Sequence, residues 1–328
     1  MGECVKKMLL ILLSVLILLT GCGGGSSTPI TQPTTVQPAV TQPTDPNSLG
    51  AKWTVVSSPV TQSLSGVVWS GTQFVAVGTG GTIITSPDGS TWTARPSASS
   101  DNLQSIAWSG TRYAAVGGWN GAVLLSSDGI NWSSVSTGVM KFLRKIIWAN
   151  NQFVAVGSGT ILTSPDGAIW TERSVNTTME ISNIIWTGSQ YVAIGGSNGT
   201  LCFTSPDGIT WTPQSGLPSV YSGMLFGLVW NGSKMIVSGW GGFLATSADG
   251  VIWHAGSYGT KNLYAGAWVN NMFVEVGKDG TIITSGDGVV WTPRQSNTTD
   301  VLVDITCSTN KCIIVGGTTT TSTILMSQ

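Results

Sequence analysis

A unit of about 40 residues recurs from residue 51 to the end of the chain, and few folds are compatible with such a repeat. Six units carry the pattern Ser-x-Asp-Gly-x-x-Trp, and their tryptophans are 40, 38, 41, 42 and 38 residues apart. Trp53 lies 39 residues before Trp92 and adds a seventh member. A second tryptophan series occupies the other half of the unit, at Trp69, Trp108, Trp148, Trp186, Trp230 and Trp268. This period, without helical spacing, predicts the four-stranded blades of a β-propeller.

Each unit reads as four short strands, labelled a to d in chain order. In the first unit, strand a covers Leu64–Trp69, strand b Phe74–Gly78 and strand c Thr82–Ser86. Two-residue turns of Gly, Asn, Ser or Thr between strands a and b suit tight hairpins. The Ser-x-Asp-Gly turn then leads to strand d and its tryptophan.

The first and last units are incomplete in complementary ways. The last unit stops at Ile324–Gln328, where the others continue to Asp-Gly-x-x-Trp, and the first begins with Gly50-Ala51-Lys52-Trp53. Pairing the two ends would remove exposed sheet edges. The sequence therefore predicts an all-β, seven-bladed β-propeller over residues 51–328, with four antiparallel strands per blade and the N- and C-terminal strands closing one blade.

The aspartates of the repeat are interpreted as structural supports of the turns. A short Asp side chain accepts backbone N–H groups in such a turn, and the glycine supplies a positive φ. The six aspartates are Asp88, Asp128, Asp166, Asp207, Asp249 and Asp287.

The N-terminal segment predicts export and lipid anchoring. Lys6 and Lys7 precede an apolar run from Met8 to Leu19, which is too short for a membrane span of about 20 residues. The run ends in Leu19-Thr20-Gly21-Cys22, which resembles the bacterial lipobox, so residues 1–21 are predicted to be a lipoprotein signal peptide and Cys22 the lipidated residue. Residues 22–50 would form a Gly-, Ser-, Thr- and Pro-rich tether. By resemblance to bacterial sorting rules, Gly23 favours the outer membrane. The alternative is an ordinary secretory signal with an unrelated cysteine.

Two cysteines occupy a place where other units have an aromatic contact. Cys307 and Cys312 stand at the end of strand a and the start of strand b of the last unit, five residues apart. Residues opposite each other at such a site approach closely, and an exported protein permits disulfides. We expect a Cys307–Cys312 disulfide; two buried thiols are the alternative.

The repeated motif resembles the Asp-box of BNR repeats, found in sialidases and in non-enzymatic propellers, and the unit also looks like propellers of the photosystem II assembly-factor type. The likeness covers residues 51–328 and implies a propeller. The box is shortened here, with Asp and Gly adjacent. The Arg-Ile-Pro motif of sialidases is absent from the sequence, which has five arginines.

Composition and motifs favour binding over catalysis. A net charge of −1 with 9% charged residues offers no basic surface for nucleic acid. The single histidine, His254, argues against a Ser-His-Asp triad or a histidine-ligated metal site, so we predict no catalytic residue, metal or cofactor.

Two tryptophans lie outside both series, Trp119 and Trp240, in Gly-rich b–c turns. Such residues suit stacking on sugars or anchoring a partner protein, although they could instead cover a neighbouring blade. Tyr221, Arg144 and Tyr264 could extend the same surface. The sequence predicts a non-catalytic, lipid-anchored cell-envelope propeller that binds a protein or a glycan. The alternative is a sialidase-like glycoside hydrolase.

Overall fold

The structure is a computed structural model that describes residues 49–196, 200–217 and 223–327. Cys22, the tether up to residue 48, and Tyr221 lie outside these residues. Besides strands, the described part of the chain contains three single-turn 3₁₀ helices, Thr79–Gly81, Trp240–Gly242 and Lys278–Gly280. None of its helices is long or apolar enough to cross a membrane.

Seven four-stranded antiparallel sheets follow one another, which confirms the predicted seven-bladed propeller. Blade 1 contains β2 (Leu64–Trp69), β3 (Phe74–Gly78), β4 (Ile83–Ser86) and β5 (Thr93–Arg95). Blade 2 contains β6 (Leu103–Trp108), β7 (Tyr113–Gly117), β8 (Ala122–Ser126) and β9 (Ser133–Val135). Blade 3 contains β10 (Leu143–Ala149), β11 (Gln152–Gly157), β12 (Thr160–Ser164) and β13 (Thr171–Arg173).

The remaining blades repeat this order. Blade 4 contains β14 (Ile181–Trp186), β15 (Tyr191–Gly195), β16 (Leu201–Ser205) and β17 (Thr212–Pro213). Blade 5 contains β18 (Leu225–Trp230), β19 (Met235–Gly239), β20 (Phe243–Ser247) and β21 (His254–Ser257). Blade 6 contains β22 (Leu263–Val269), β23 (Met272–Gly277), β24 (Ile282–Ser285) and β25 (Thr292–Arg294). Blade 7 contains β26 (Val301–Cys307), β27 (Cys312–Gly317), β28 (Ser322–Ser327) and, as its outer strand, β1 (Thr54–Val56).

The two ends of the chain close the ring, as predicted. Strand β1 pairs antiparallel with β28, so that Thr54 faces Met326. The backbone N–H of Gly50 donates to Ser327 Oγ at 2.8 Å, and the Trp53 indole donates to the Gly50 carbonyl at 3.1 Å. The seventh Asp-type turn is therefore assembled from both ends. Leu49, which the sequence assigned to the tether, is buried in this turn where other blades have the aspartate.

The core lies between blades because each sheet buries both faces of its inner strands. Strand β3 is buried along its whole length, whereas the outer strand β5 is mostly exposed. Between blades 7 and 1, Leu64 and Trp92 pack with Ile313. The buried apolar side chains therefore stabilise the interfaces between blades as well as the sheets themselves.

The six Ser-x-Asp-Gly turns between strands c and d, which we call the Asp-type turns, share one hydrogen-bond pattern. In blade 1, Ser86 Oγ accepts from Gly89 N at 2.8 Å, and Asp88 Oδ1 accepts from the N–H groups of Ser90 and Thr91. Gly89 has a φ of +77°, which a residue with a side chain rarely adopts. These backbone bonds stabilise the charged carboxylate and hold the pKa of Asp88 well below its usual range. The pKa is lowered in the same way at Asp128, Asp166, Asp207, Asp249 and Asp287.

A second repeated contact joins consecutive blades. The residue preceding strand b, or its first residue, donates a side-chain N–H to the main-chain carbonyl of the next blade's turn aspartate. The six pairs are Gln73 with Asp128, Arg112 with Asp166, Gln152 with Asp207, Gln190 with Asp249, Lys234 with Asp287 and Lys311 with Asp88. At the junction of blades 6 and 7 the corresponding residues are Met272 and Leu49, and both are buried. Buried apolar residues thus occupy both positions where the chain ends meet.

The structure contains the Cys307–Cys312 disulfide. The two cysteines are register partners at the end of β26 and the start of β27. The same place in blade 1 holds Trp69 and Phe74, whose ring centroids are 4.4 Å apart. A covalent bond therefore takes the place of an aromatic pair. Cys202 is a buried free thiol, and burial raises its pKa to about 12.

Replacing both Cys307 and Cys312 with alanine should lower the free energy of unfolding by about 2 kcal/mol, because the closed loop is short and restricts the unfolded chain little. Chemical unfolding of oxidised wild type, reduced wild type and the double variant measures this, and the last two should agree. Mass spectrometry of the oxidised protein should find the two cysteines linked. Alkylation of both cysteines without prior reduction would show that the bond is absent.

One blade junction buries an acid. Glu275 stands in β23 where β3 has Ala76, and its side chain is fully buried. Ser238 Oγ donates to Glu275 Oε2 at 2.7 Å, while Oε1 has no hydrogen-bond partner among the described residues. Gly266 gives the carboxyl its space, since a Cβ there would lie 2.5 Å from Oε1. Burial raises the pKa of Glu275 to about 8, so the carboxyl is largely neutral at pH 7.

Candidate functional site

A β-bulge interrupts the innermost strand of every blade at the same place. In blade 1 the register shifts between Leu64 and Gly66, so Ser65 is the bulged residue. A bulge leaves one residue unpaired and turns its side chain away from the regular alternation. The bulged residues of the seven blades are Ser65, Gln104, Arg144, Ser182, Phe226, Tyr264 and Val303.

The bulged side chains line a cavity of about 170 Å³ at the centre of the ring. The residue preceding each bulge is a fully buried Leu or Ile, whereas the bulged residue changes in size and charge from blade to blade. The buried residue that supports each bulge is therefore nearly constant, whereas the residue that lines the cavity differs between blades. We call this cavity the channel mouth, and the end of the ring that carries it the mouth end.

One wall of the channel mouth is basic and aromatic. The Arg144 guanidinium lies over the Phe226 ring, with its carbon 5.6 Å from the ring centroid. The centroid of the Phe226 ring lies 5.2 Å from that of Tyr264 and 6.4 Å from that of Trp240. Residues from blades 3, 5 and 6 thus form one cation–π and aromatic cluster.

An ion pair crosses the channel mouth. Lys145 Nζ of blade 3 lies 3.1 Å from Asp304 Oδ1 of blade 7, and both residues line the cavity. Asp304 Oδ2 also accepts a hydrogen bond from the backbone N–H of Val67 in blade 1. These contacts link blades 1, 3 and 7 across the axis.

The polar residues beside the cluster fix its backbone. Ser182 Oγ donates to the Leu225 carbonyl at 2.5 Å, and Asn183 Nδ2 donates to the Phe226 carbonyl at 2.6 Å. Glu180 Oε1 lies 3.6 Å from Arg144 Nε, which is longer than a hydrogen bond. Arg144 therefore has a nearby counter-charge but keeps donor capacity for a ligand.

Arg144 differs from the other four arginines in what it contacts. Arg95, Arg173 and Arg294 each donate from Nε to a threonine of the neighbouring strand, at 2.8 to 2.9 Å. Arg112 donates to the Asp166 carbonyl of the next blade. These four serve the repeat, and Arg144 alone among the arginines lines the channel mouth.

Trp119 forms a separate surface feature of the mouth end. Its side chain is 81% exposed, and its ring lies 5.0 Å from Phe142. Together with Asp101, Asn102 and the exposed Met140, these rings line a groove of about 390 Å³. Trp119 therefore contacts Phe142, which precedes blade 3, and leaves most of its side chain exposed to solvent.

The structure thus divides the binding candidates. Trp240, Arg144 and Tyr264 gather around Phe226, Trp119 stands apart with Phe142, and Tyr221 lies outside the described residues. Sequence reasoning missed the ion pair between Lys145 and Asp304. The sequence offers one signal for this pair. Lys145 and Asp304 each lie two residues after the buried Leu of the innermost strand, a position where the other blades have small or polar residues.

Acidic residues outside the turns have local partners. Glu172 pairs with Lys141 at 2.7 Å, which lowers the pKa of its carboxyl, and Asp300 accepts from Thr321 and Thr323. Across the described ranges, no group of three His, Cys, Asp or Glu side chains could hold a metal ion.

The sequence matches no protein-family model and no curated protein. In fold the chain is similar to YCF48 from Cyanidioschyzon merolae, at 20% identity and a TM-score of 0.67, over 85% of this chain and 99% of that one. It is similar to YCF48 bound to D1 peptide, at 21% identity and a TM-score of 0.70, over 84% and 94% of the two chains. Virginiamycin B lyase from Staphylococcus aureus is also similar, at 9% identity and a TM-score of 0.73, over 84% and 99%. At such identities, the similarity shows the propeller fold alone.

Proposed function

We propose that this protein is a lipid-anchored, non-catalytic propeller of the bacterial cell envelope, and that its channel mouth binds a segment of a partner protein. In this proposal residues 1–21 are removed, Cys22 carries the lipid, and the repeat belongs to the Asp-box type. The resemblance to the lipobox supports the anchor, and Gly23 favours the outer membrane.

The cluster of Arg144, Phe226 and Tyr264 carries the binding proposal. An arginine over an aromatic ring, with a second ring beside it, can pair with a carboxylate and stack on an apolar or aromatic side chain at once. A polypeptide segment offers both groups within one extended stretch. The YCF48 propeller that was solved with a D1 peptide supports this choice of ligand class, since it shares the fold.

Site-specific photo-crosslinking tests the proposal in cells. A photoreactive residue at position 264 should form a covalent adduct with a protein, while the same residue at position 72, in an a–b turn at the other end, should not. Arg144→Gln should reduce the adduct at position 264 about tenfold, the effect expected when a charge-assisted hydrogen bond is lost. Arg173→Gln is the matched control and should leave the adduct unchanged.

Two outcomes contradict protein binding at the mouth. One is equal crosslinking from positions 264 and 72; the other is an adduct that Arg144→Gln does not weaken. Binding to a glycan array that depends on Trp119, with no protein adduct at position 264, would favour the glycan. Turnover of aryl glycosides that is lost in carboxylate variants would favour the sialidase-like hydrolase.

A further inference from the structure

Aliphatic side chains are exposed in the Asp-type turns of five consecutive blades. They occupy the two positions between the turn glycine and the tryptophan and are between 38% and 71% exposed. They are Ile130, Ile169, Ile209, Val251, Ile252, Val289 and Val290 in blades 2 to 6. We call these seven residues the aliphatic rim. Among the described residues, the other exposed large apolar side chains are Val55, Trp119, Met140 and Trp240.

The turn itself does not require these aliphatic residues. In blade 1 the same two positions hold Ser90 and Thr91, whose N–H groups donate to Asp88 Oδ1 at 2.8 and 2.9 Å. In blade 5, Val251 and Ile252 donate to Asp249 with the same distances. Ser, Asp and Gly therefore determine the backbone, and the choice of Ile or Val concerns only the surface.

The described chain enters the ring at the end that carries the aliphatic rim. Strands alternate in direction within a blade, so the c–d turns lie at the end opposite the channel mouth. The split seventh c–d turn, in which the Gly50 N–H donates to Ser327 Oγ, is where the described chain begins, at Leu49. Leu49, the first described residue, therefore lies at the end that carries the aliphatic rim.

We propose that the aliphatic rim lies in the interface of the lipid bilayer and turns the channel mouth away from the membrane. This inference rests on the proposed lipid anchor at Cys22, which would keep that end of the ring within reach of the bilayer. Exposed Ile and Val side chains can insert roughly 5–10 Å into the boundary between headgroups and acyl chains.

The charged residues beside the aliphatic rim favour a zwitterionic bilayer. The same turns carry six ionised aspartates, and the basic residues at this end include Lys52, Lys234 and Lys311. Lys234 and Lys311 are bonded to turn carbonyls of the next blades. Binding would therefore come from apolar contact, because attraction to anionic lipid requires a basic surface.

Fluorescent labelling of the mature protein tests this inference. An environment-sensitive label is attached at Ile209→Cys in the rim, or at Asn120→Cys at the mouth end as the matched control. The disulfide and the buried Cys202 leave these positions as the reactive thiols of the folded domain. The protein is reconstituted in phosphatidylcholine vesicles in which some acyl chains carry a nitroxide quencher. Quenching at 209 should exceed that at 120 by roughly twofold or more.

A second variant tests whether the rim causes the contact. In a background of Ile169→Ser, Ile252→Ser and Val290→Ser, quenching at position 209 should fall to the level at position 120. The replaced side chains are exposed, so the thermal midpoint should remain unchanged. Equal quenching at 209 and 120, or a serine background without effect, overturns the inference even when the anchor holds.

The lipid on Cys22 is checked separately by mass spectrometry. If Cys22 is not acylated, the anchor proposal fails, and the same vesicles are then added to the protein in solution. Vesicle association that the triple serine variant loses would support the rim without the anchor. Lack of association by the wild type would overturn the rim as well.

Discussion

Trp53→Ala should lower the free energy of unfolding by about 3 to 5 kcal/mol, the cost of removing a large buried aromatic side chain. Trp53 is buried in the core cluster that joins blades 6 and 7 and that also contains Leu302, Ile314 and Leu325. It also precedes β1, the strand that completes blade 7 from the other end of the chain. Denaturant unfolding followed by tryptophan fluorescence and circular dichroism measures the loss.

Two further tryptophans make this test specific. Trp92→Ala removes the equivalent residue of blade 1 and should cost about the same, because both tryptophans occupy the same place in the repeat. Trp119→Ala removes an exposed tryptophan and should change the free energy of unfolding by no more than about 0.5 kcal/mol. If Trp53→Ala behaves like Trp119→Ala, the N-terminal strand does not close the ring.

Glu275→Gln should make the protein more stable above pH 8 and abolish part of its pH dependence. Burial raises the pKa of Glu275 from 4.5 to about 8, so the folded protein binds this proton more tightly than the unfolded chain does. The free energy of unfolding of the wild type should therefore be highest below pH 4.5 for this group, fall between pH 4.5 and about 8, and level off above. With about 1.4 kcal/mol for each unit of pKa, the full contribution is roughly 5 kcal/mol.

The glutamine variant keeps a group that can accept the Ser238 hydrogen bond and cannot ionise. Its unfolding midpoint in denaturant should stay level from pH 5 to 9, while that of the wild type declines. Glu172→Gln is the control, because Lys141 and Thr160 lower the pKa of that carboxyl, so its contribution changes only at lower pH. A wild-type midpoint that does not change between pH 5 and 8.5 would show that Glu275 is not held in its neutral form.

Acid should act through a different set of groups. The six turn aspartates have pKa values below the usual range, because backbone N–H groups stabilise the carboxylate. Stability from these turns is present above the ordinary pKa of aspartate and is lost as the pH falls toward the lowered values. The protein should therefore lose stability at both ends of the pH range for separate reasons.

The fold could be predicted because every unit repeats the same pattern of strands and turns. Strands Leu64–Trp69 and Phe74–Gly78 agree with the sequence-based boundaries, since the two-residue turn and the recurring aromatic residues on either side of it define both. Strand c begins one residue later than predicted, at Ile83 instead of Thr82. The difference has a physical cause, because Thr82 closes the b–c turn by donating its hydroxyl to the Thr79 carbonyl.

The candidate site was less predictable because it depends on contacts between distant units. The bulge at Arg144 follows from pairing of strands, and the position of Arg144 over Phe226 depends on the closed ring. The ion pair of Lys145 with Asp304 joins residues 159 positions apart. Periodicity predicts which residues share a place in the blade, but it does not indicate which blades face each other across the axis.

The pairing of β1 with β28 also imposes an order on folding during synthesis. Thr54 Oγ1 donates to the Met326 carbonyl, 272 positions further along the chain. The first strand leaves the ribosome long before its partner has been made, so six blades can form while β1 stays unpaired. Ser322–Ser327 supplies both the partner strand and the hydroxyl that holds Gly50. A nascent chain that lacks only its last residues would therefore keep an open ring with an exposed sheet edge, even when its other blades are complete.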